Sequence, residues 1–323
     1  MGRDAQMSVR ADADRIRGLA DRFEIESAPA YAIFASNADD IFMMESLTHS
    51  TQNVAVVGPR PYLRPLRAAP KSLRAGIIVA DRATARTFVS SADLVEEIGP
   101  ALDTEIGKSN YGGFSGYAEH GVRAHAEGAT QRMWKEAGTR LMERHLDRPY
   151  DYFAIGAQEE MAEEIARSLH PYLERLHRAT FVANPSNLGP AALRSELAAL
   201  DATVRRERQE ALAGRVCDTA WGGGNAFLGL APALESANAQ AVDTLVVAGR
   251  FTRPGVVCNE CGFLARSGDV CPVCGSRMFA VDDVVAALME AVVEAGGAVS
   301  QIRVASPLDA HGVGTLTRFP VPV

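Results

Sequence analysis

The stretch VDTLVVAGRFTRPGVVCNECGFLARSGDVCPVCG, residues 242–275, decides the fold of the last third of the chain. Its opening run, VDTLVVAG (242–249), is short, apolar and rich in β-branched residues, which fits a buried strand. Two Cys-x-x-Cys-Gly segments follow, CNECG at 258–262 and CPVCG at 271–275, with nine residues between Cys261 and Cys271. Each such turn points two sulfurs at one place, and two turns complete a tetrahedral thiolate site. The glycine after each second cysteine allows the tight turn that aims amide N–H groups at sulfur. Cys258, Cys261, Cys271 and Cys274 are therefore expected to hold one zinc ion. Four protein ligands leave no open position, so this zinc would be structural. An iron site or two labile disulfides are the alternatives. The fifth cysteine, Cys217, has no partner by spacing and reads as a small buried apolar residue.

Outward from this module, VDDVVAALMEAVVEAGGA (281–298) reads as a helix ended by a glycine pair. VSQIRVAS (299–306) and GTLTRFPV (314–321) read as closing strands, and WGGGNAFLGLAPALESANAQ (221–240) as a glycine turn feeding a helix. The third unit, 217–323, is thus α/β, with the cysteine module (251–280) inserted between strand and helix.

The central unit, 71–216, alternates strands and helices in the same way. Strands are expected at 74–81, 85–91, 152–157 and 179–184, and helices at 119–146, 158–169 and 189–216. The acids of the second helix cluster at its start, as the helix dipole favours, and read as a solvated face. The N-terminal 70 residues form a small α+β domain with a helix at 10–24 and strands at 30–36, 40–46 and 53–58. A proline-rich segment, GPRPYLRPL, closes it.

The chain has 323 residues, enough for two or three domains. No apolar run approaches the roughly 20 residues of a membrane span. The charged N-terminus lacks the apolar core of a signal peptide, so a soluble cytoplasmic protein is expected, without membrane contact. A net charge of −7 excludes a surface that traps nucleic acid indiscriminately. Between Arg60 and Arg74, however, stand Arg60, Arg64, Arg67, Lys71 and Arg74 with no acid. This stretch is either a phosphate contact or a solvated connector.

The remaining chemical signal is KSNYGGFSGYAEH, residues 108–120. Gly112, Gly113 and Gly116 permit positive φ and close backbone approach to another molecule. Tyr111, Phe114 and Tyr117 place three rings around them, between Lys108 and a helix carrying His120, Arg123, His125, Arg132, Lys135 and Arg140. Rings on a loop can stack on bases while the cations line phosphate. The bland alternative is a surface loop folded back on its own domain. A phosphate-cradling P-loop is excluded, because no Gly-Lys-Ser/Thr follows the glycines. Ser115 lies in Phe-Ser-Gly and not in a nucleophile elbow, and the seven histidines are scattered, so no catalytic residue is assigned.

Taken together, KSNYGGFS before a long basic helix, and 242–275 with VEAGGAVSQIRV and GVGTLTRFP behind it, resemble the archaeo-eukaryotic class-1 peptide chain release factor superfamily in its bacterial branch. The likeness covers roughly 74–323. It implies a multidomain α/β protein whose third domain is similar to the L7Ae-type fold with a zinc-ribbon insertion. It implies a tRNA mimic, monomeric, that enters the ribosomal A site and touches large- and small-subunit rRNA. An elongation factor Tu-type GTPase or the stalk base would meet the third domain. Lys108, Tyr111, Gly112, Gly113, Phe114, Ser115, Tyr117, His120, Arg123, Arg132 and Lys135 would be the ribosome-contacting residues.

Two departures bear on function. The family places a water-positioning glutamine after Gly-Gly, and here Phe114 stands there. A phenyl ring cannot hydrogen-bond water in that role. The family's Asn-Ile-Lys-Ser codon-reading motif is also absent. The resemblance therefore implies a non-catalytic factor of ribosome hibernation or rescue. A hydrolase of peptidyl-tRNA or tRNA that needs no glutamine is the alternative, and a zinc-ribbon adaptor that binds only protein is the third reading.

Overall fold

A computed structural model describes residues 3–20, 30–47, 53–58, 61–64, 73–91, 94–104 and 117–321. The chain divides into two compact units, one of residues 71–208 and one of 1–70 with 209–323.

The 71–208 unit is built on a mixed sheet. Strands β3 (Arg74–Ala80), β4 (Thr84–Ser91), β5 (Leu94–Glu97), β6 (Leu102–Asp103), β7 (Tyr152–Gly156) and β8 (His177–Phe181) contribute to it. Their order is β5-β4-β3-β7-β8, with β6 on β4; β3, β7 and β8 run parallel and β4 antiparallel to β3. Period-2 alternation sends successive side chains to opposite faces. Ile78, Phe153 and Ile155 enter one core, and Ile77, Val79, Tyr152 and Ala154 enter the other. Helices α2 (Tyr117–Asp147), α3 (Glu159–Ser168) and α4 (Pro171–Leu176) cover the first face. The second is covered by α5 (Pro190–Trp221), through Leu193, Leu197 and Val204.

In the other unit, α1 (Arg3–Ala20) packs on a hairpin of β1 (Ala30–Ser36) and β2 (Ile41–Leu47). The larger part holds a four-stranded sheet of order β14-β10-β15-β9, from β9 (Ala226–Leu228), β10 (Val242–Ala248), β14 (Ala298–Ile302) and β15 (Val313–Thr317). Helices α6 (Leu230–Asn238) and α7 (Val284–Glu294) pack with Val242, Leu245 and Val247. Val246 and Ala248 meet Ala213, Val216 and Cys217 of α5. Cys217 is fully buried there, and burial raises its thiol pKa, so it serves as a small apolar residue. Between β10 and α7 lies a three-stranded sheet of β11 (Gly255–Cys258), β12 (Leu264–Ala265) and β13 (Met278–Val281), in the order β12-β11-β13.

Several expected elements shift. NVAVVG (53–58) is not a strand; Val54, Val56 and Val57 are exposed and, among the described residues, pair with no strand, so β propensity alone does not make a strand there. The first helix starts seven residues before the expected Arg10, and residues 21–24 of the expected span lie outside the described residues. The helix expected over 281–298 is trimmed to Val284–Glu294, because Val281 belongs to β13 and Asp283 caps the helix by accepting from Val285 N–H. The strand expected at 179–184 begins at His177, and the helix expected to stop at 216 continues to Trp221.

Candidate functional site

Helix α2 is the long helix expected behind the glycine loop. Thr130, Met133, Trp134, Ala137 and Leu141 are buried, an i, i+3, i+4, i+7 stripe that faces the sheet. Two polar groups on that stripe lock the helix to the β3–β4 turn. Trp134 Nε1–H donates to the Asp81 carbonyl at 3.0 Å, and the Thr130 hydroxyl to the Arg82 carbonyl at 2.8 Å. A buried indole N–H and hydroxyl are thereby satisfied. The opposite face keeps His125, Arg132 and Lys135 exposed, so two of the expected contact cations point to solvent. Arg140 is held inside the unit by the Pro100 carbonyl at 2.8 Å and Glu136 at 3.0 Å. Tyr117, His120 and Arg123 lie on the first turns of α2. Lys108, Tyr111, Gly112, Gly113, Phe114 and Ser115 lie outside the described residues.

The basic stretch of 60–74 resolves in part. Arg74 donates to the Arg144 and Arg148 carbonyls at the end of α2 and stacks over Tyr150 at 4.7 Å from the ring centroid. Arg64 pairs with Asp283 at 2.6 Å. These two cations are internal ties; Arg60, Arg67 and Lys71 lie outside the described residues.

The four cysteines of the module converge. Their Sγ atoms all lie within 4.8 Å of one another, with Cys258 and Cys274 at 3.4 Å and Cys261 and Cys271 at 3.5 Å. None is in a disulfide. The two turns repeat each other. Gly262 N–H donates to the Cys258 carbonyl and Gly275 N–H to the Cys271 carbonyl, both at 2.9 Å. Cys258 N–H reaches the Phe263 carbonyl at 2.9 Å, and Cys271 N–H the Ser276 carbonyl at 2.8 Å. Gly262 and Gly275 adopt φ of +77° and +73°, a region that favours glycine. Cys258 and Cys271 are buried at the base, while Cys261 and Cys274 sit at the exposed tips. The Ser276 hydroxyl, then its amide, lowers the Cys274 thiol to about 6. A closed all-sulfur donor set of this kind fits a tetrahedral metal ion, and the four cysteines could hold one.

The same unit contains an open cleft of about 830 Å³ that the sequence did not flag. It is lined by Leu230, Ala231, Phe251, Arg253, Pro254, Arg266 and Ser267. Its only sequence signal is the pair of arginines in RFTRPG, and nothing in the linear pattern ties them to Arg266.

Among the described residues no helix is long and apolar enough to cross a membrane. No protein-family model and no curated protein matches the sequence. Among solved structures, the chain is similar to archaeal Pelota described as ribosome-bound with ABCE1, at 16% identity and a TM-score of 0.49, over 90% of this chain and 78% of that one. It is similar to Archaeoglobus fulgidus Pelota at 17% identity and a TM-score of 0.40, over 80% and 68%. It is also similar to an archaeal translation termination factor at 14% identity and a TM-score of 0.31, over 97% and 81%. Likenesses at these identities and TM-scores assign no activity.

Proposed function

We propose that the chain is a ribosome-binding, release-factor-like protein that occupies the A site without catalysing peptide release, in hibernation or rescue. The observation that carries this reading is the pairing of KSNYGGFS with α2. A glycine-rich sequence with Phe114 after Gly-Gly immediately precedes a helix that is locked to its sheet on one face and presents Arg132 and Lys135 on the other. The helix has 31 residues, a reach of about 45 Å. That length lets one element deliver its N-terminal loop deep into a narrow site while its exposed cations meet phosphate along the way.

In this reading the loop keeps close backbone approach and exchanges chemistry for stacking. Phe114 has no donor or acceptor with which to orient a water molecule. Its ring can stack on an unpaired base, a contact worth about 1–3 kcal/mol.

The metal reading follows from the donor set. Cys258, Cys261, Cys271 and Cys274 would hold a structural zinc ion, which would cross-link β11 to the turn before β13. The chain's own residues supply the two glycine turns and the buried Cys258–Cys271 base, which presents sulfur without large loop rearrangement. The unit that bears this module would contact a translational GTPase or the stalk base.

The test is ribosome binding and peptide release in one preparation. Purified protein is expected to co-sediment with ribosomes and to leave peptidyl-tRNA intact. Phe114→Gln is then the diagnostic variant. Release by that variant alone would show that one side chain separates this loop from a catalytic one. Release by the unmodified protein that is abolished in Gly113→Ala would establish the hydrolase reading instead.

A further inference from the structure

The cleft in the 209–323 part combines an apolar floor with two cationic walls. Leu230, Ala231, Phe251 and Pro254 supply the floor, and Arg253 and Arg266, both exposed, supply the charge. None of the lining residues is acidic, in a chain whose net charge is −7. The local excess of positive charge therefore runs against the surface as a whole, and an anionic occupant is favoured there.

The ring and its aliphatic neighbours bear on the identity of the anion. The Arg253 guanidinium sits over Phe251 at 4.5 Å from the ring centroid. The Gly312 backbone packs so close to Phe251 that a Cβ added there would fall 2.2 Å from ring atoms. Phe251 is the one ring in the lining, and its packing against Arg253 and Gly312 leaves it less available to a nucleobase than a bare ring would be, so the cleft lacks the row of rings on which successive bases stack. An aliphatic side chain needs no ring face; it needs an apolar floor, which Leu230 and Pro254 extend. Carboxylates beside it would meet Arg253 and Arg266 in charge-assisted hydrogen bonds.

The floor is also held in place before anything binds. Arg64 donates to the Phe251 carbonyl at 2.7 Å, and Val284 N–H to the Arg253 carbonyl at 2.8 Å. A site fixed in this way loses less conformational freedom on binding.

We propose that this cleft docks an acidic peptide segment of a partner protein, with aliphatic side chains on the floor and carboxylates on Arg253 and Arg266. This does not depend on the ribosome reading, and its assay contains no ribosome. The full chain is titrated into a fluorescein-labelled decapeptide of alternating glutamate and leucine, followed by anisotropy. Saturable binding is expected, weakening as salt is raised. Arg253→Glu/Arg266→Glu should weaken it by about tenfold or more. The same variant should gain affinity for the matching lysine–leucine decapeptide, an exchange that a damaged fold would not produce. Arg253→Gln/Arg266→Gln, which only removes the charges, should weaken the acidic peptide alone. The absence of saturable binding, or binding of the acidic peptide by both double variants as tightly as by the unmodified chain, overturns the proposal. Binding of a uridine decanucleotide that both variants abolish, with the acidic peptide unaffected, overturns it in favour of nucleic acid.

Discussion

Arg64 and Asp283, 219 positions apart in the chain, meet at 2.6 Å with side chains only 8% and 13% exposed. Asp283 also accepts from the Tyr62 hydroxyl at 3.1 Å and from Val285 N–H at 3.2 Å, the cap of α7. Burial and the neighbouring carboxylate hold the Tyr62 pKa above its ordinary value, so the hydroxyl stays protonated as a donor. One carboxylate thus fastens the 61–64 segment, starts a helix and, through Arg64, fixes the Phe251 carbonyl.

Removing one partner of this pair should cost more than removing the pair. Arg64→Ala leaves Asp283 largely buried without its cation, and a loss of about 3 kcal/mol is expected in denaturant unfolding. Arg64→Met with Asp283→Asn should recover most of it, because asparagine caps a helix as well as aspartate does. Equal losses in the single and double variants would show that the ion pair itself is the stabilising element.

Gly255 opens β11, which carries Cys258. A Cβ there would lie 2.7 Å from Val284 Cβ and 2.8 Å from the Ala265 carbonyl oxygen. Neither neighbour is the end of a flexible side chain, so Gly255→Ala should destabilise by about 2 kcal/mol or more. It should also weaken metal retention, measured as bound zinc per chain after dialysis.

His145 Nδ1 accepts from Tyr150 N–H at 3.0 Å, a bond that requires the neutral ring at that nitrogen. Burial, then Arg74, lowers its pKa below the ordinary 6.5. The sign follows directly: above about 6.5 both folded and unfolded chains hold the ring neutral, and as pH falls below it the unfolded chain binds the proton first. Stability should therefore fall between about pH 6.5 and the lowered folded value. His145→Gln should flatten that part of the stability–pH profile, and an unchanged slope would remove His145 from the account.

The metal reading predicts one zinc ion per chain by elemental analysis. Cys258→Ser should abolish it, since Cys258 sits at the buried base. Affinity should fall with falling pH, because the ligands are thiolates and binding releases protons. Full zinc loading in Cys258→Ser would contradict the four-cysteine site.

What the sequence made legible was local. VDTLVVAG and RAGIIVAD are mostly apolar stretches with β-branched centres, and both became buried strands, β10 and β3. The Cys-x-x-Cys-Gly repeats announced their own geometry, because spacing and turn glycine together leave little freedom. NVAVVG is comparably rich in valine and formed no strand, since strand formation depends on a partner edge that no local pattern reports. Arg64–Asp283 and the Arg253–Arg266 cleft were invisible for a related reason. Each joins residues whose proximity is a product of tertiary folding, and Arg64 looked like one more cation in a basic run.

The central claim is tested most directly by cryo-electron microscopy of ribosomes from stressed cells after addition of the purified protein. The account predicts density in the A site, with the loop of residues 111–117 at the peptidyl-transferase centre and the exposed side of α2 against rRNA. Empty A sites at saturating protein would contradict it.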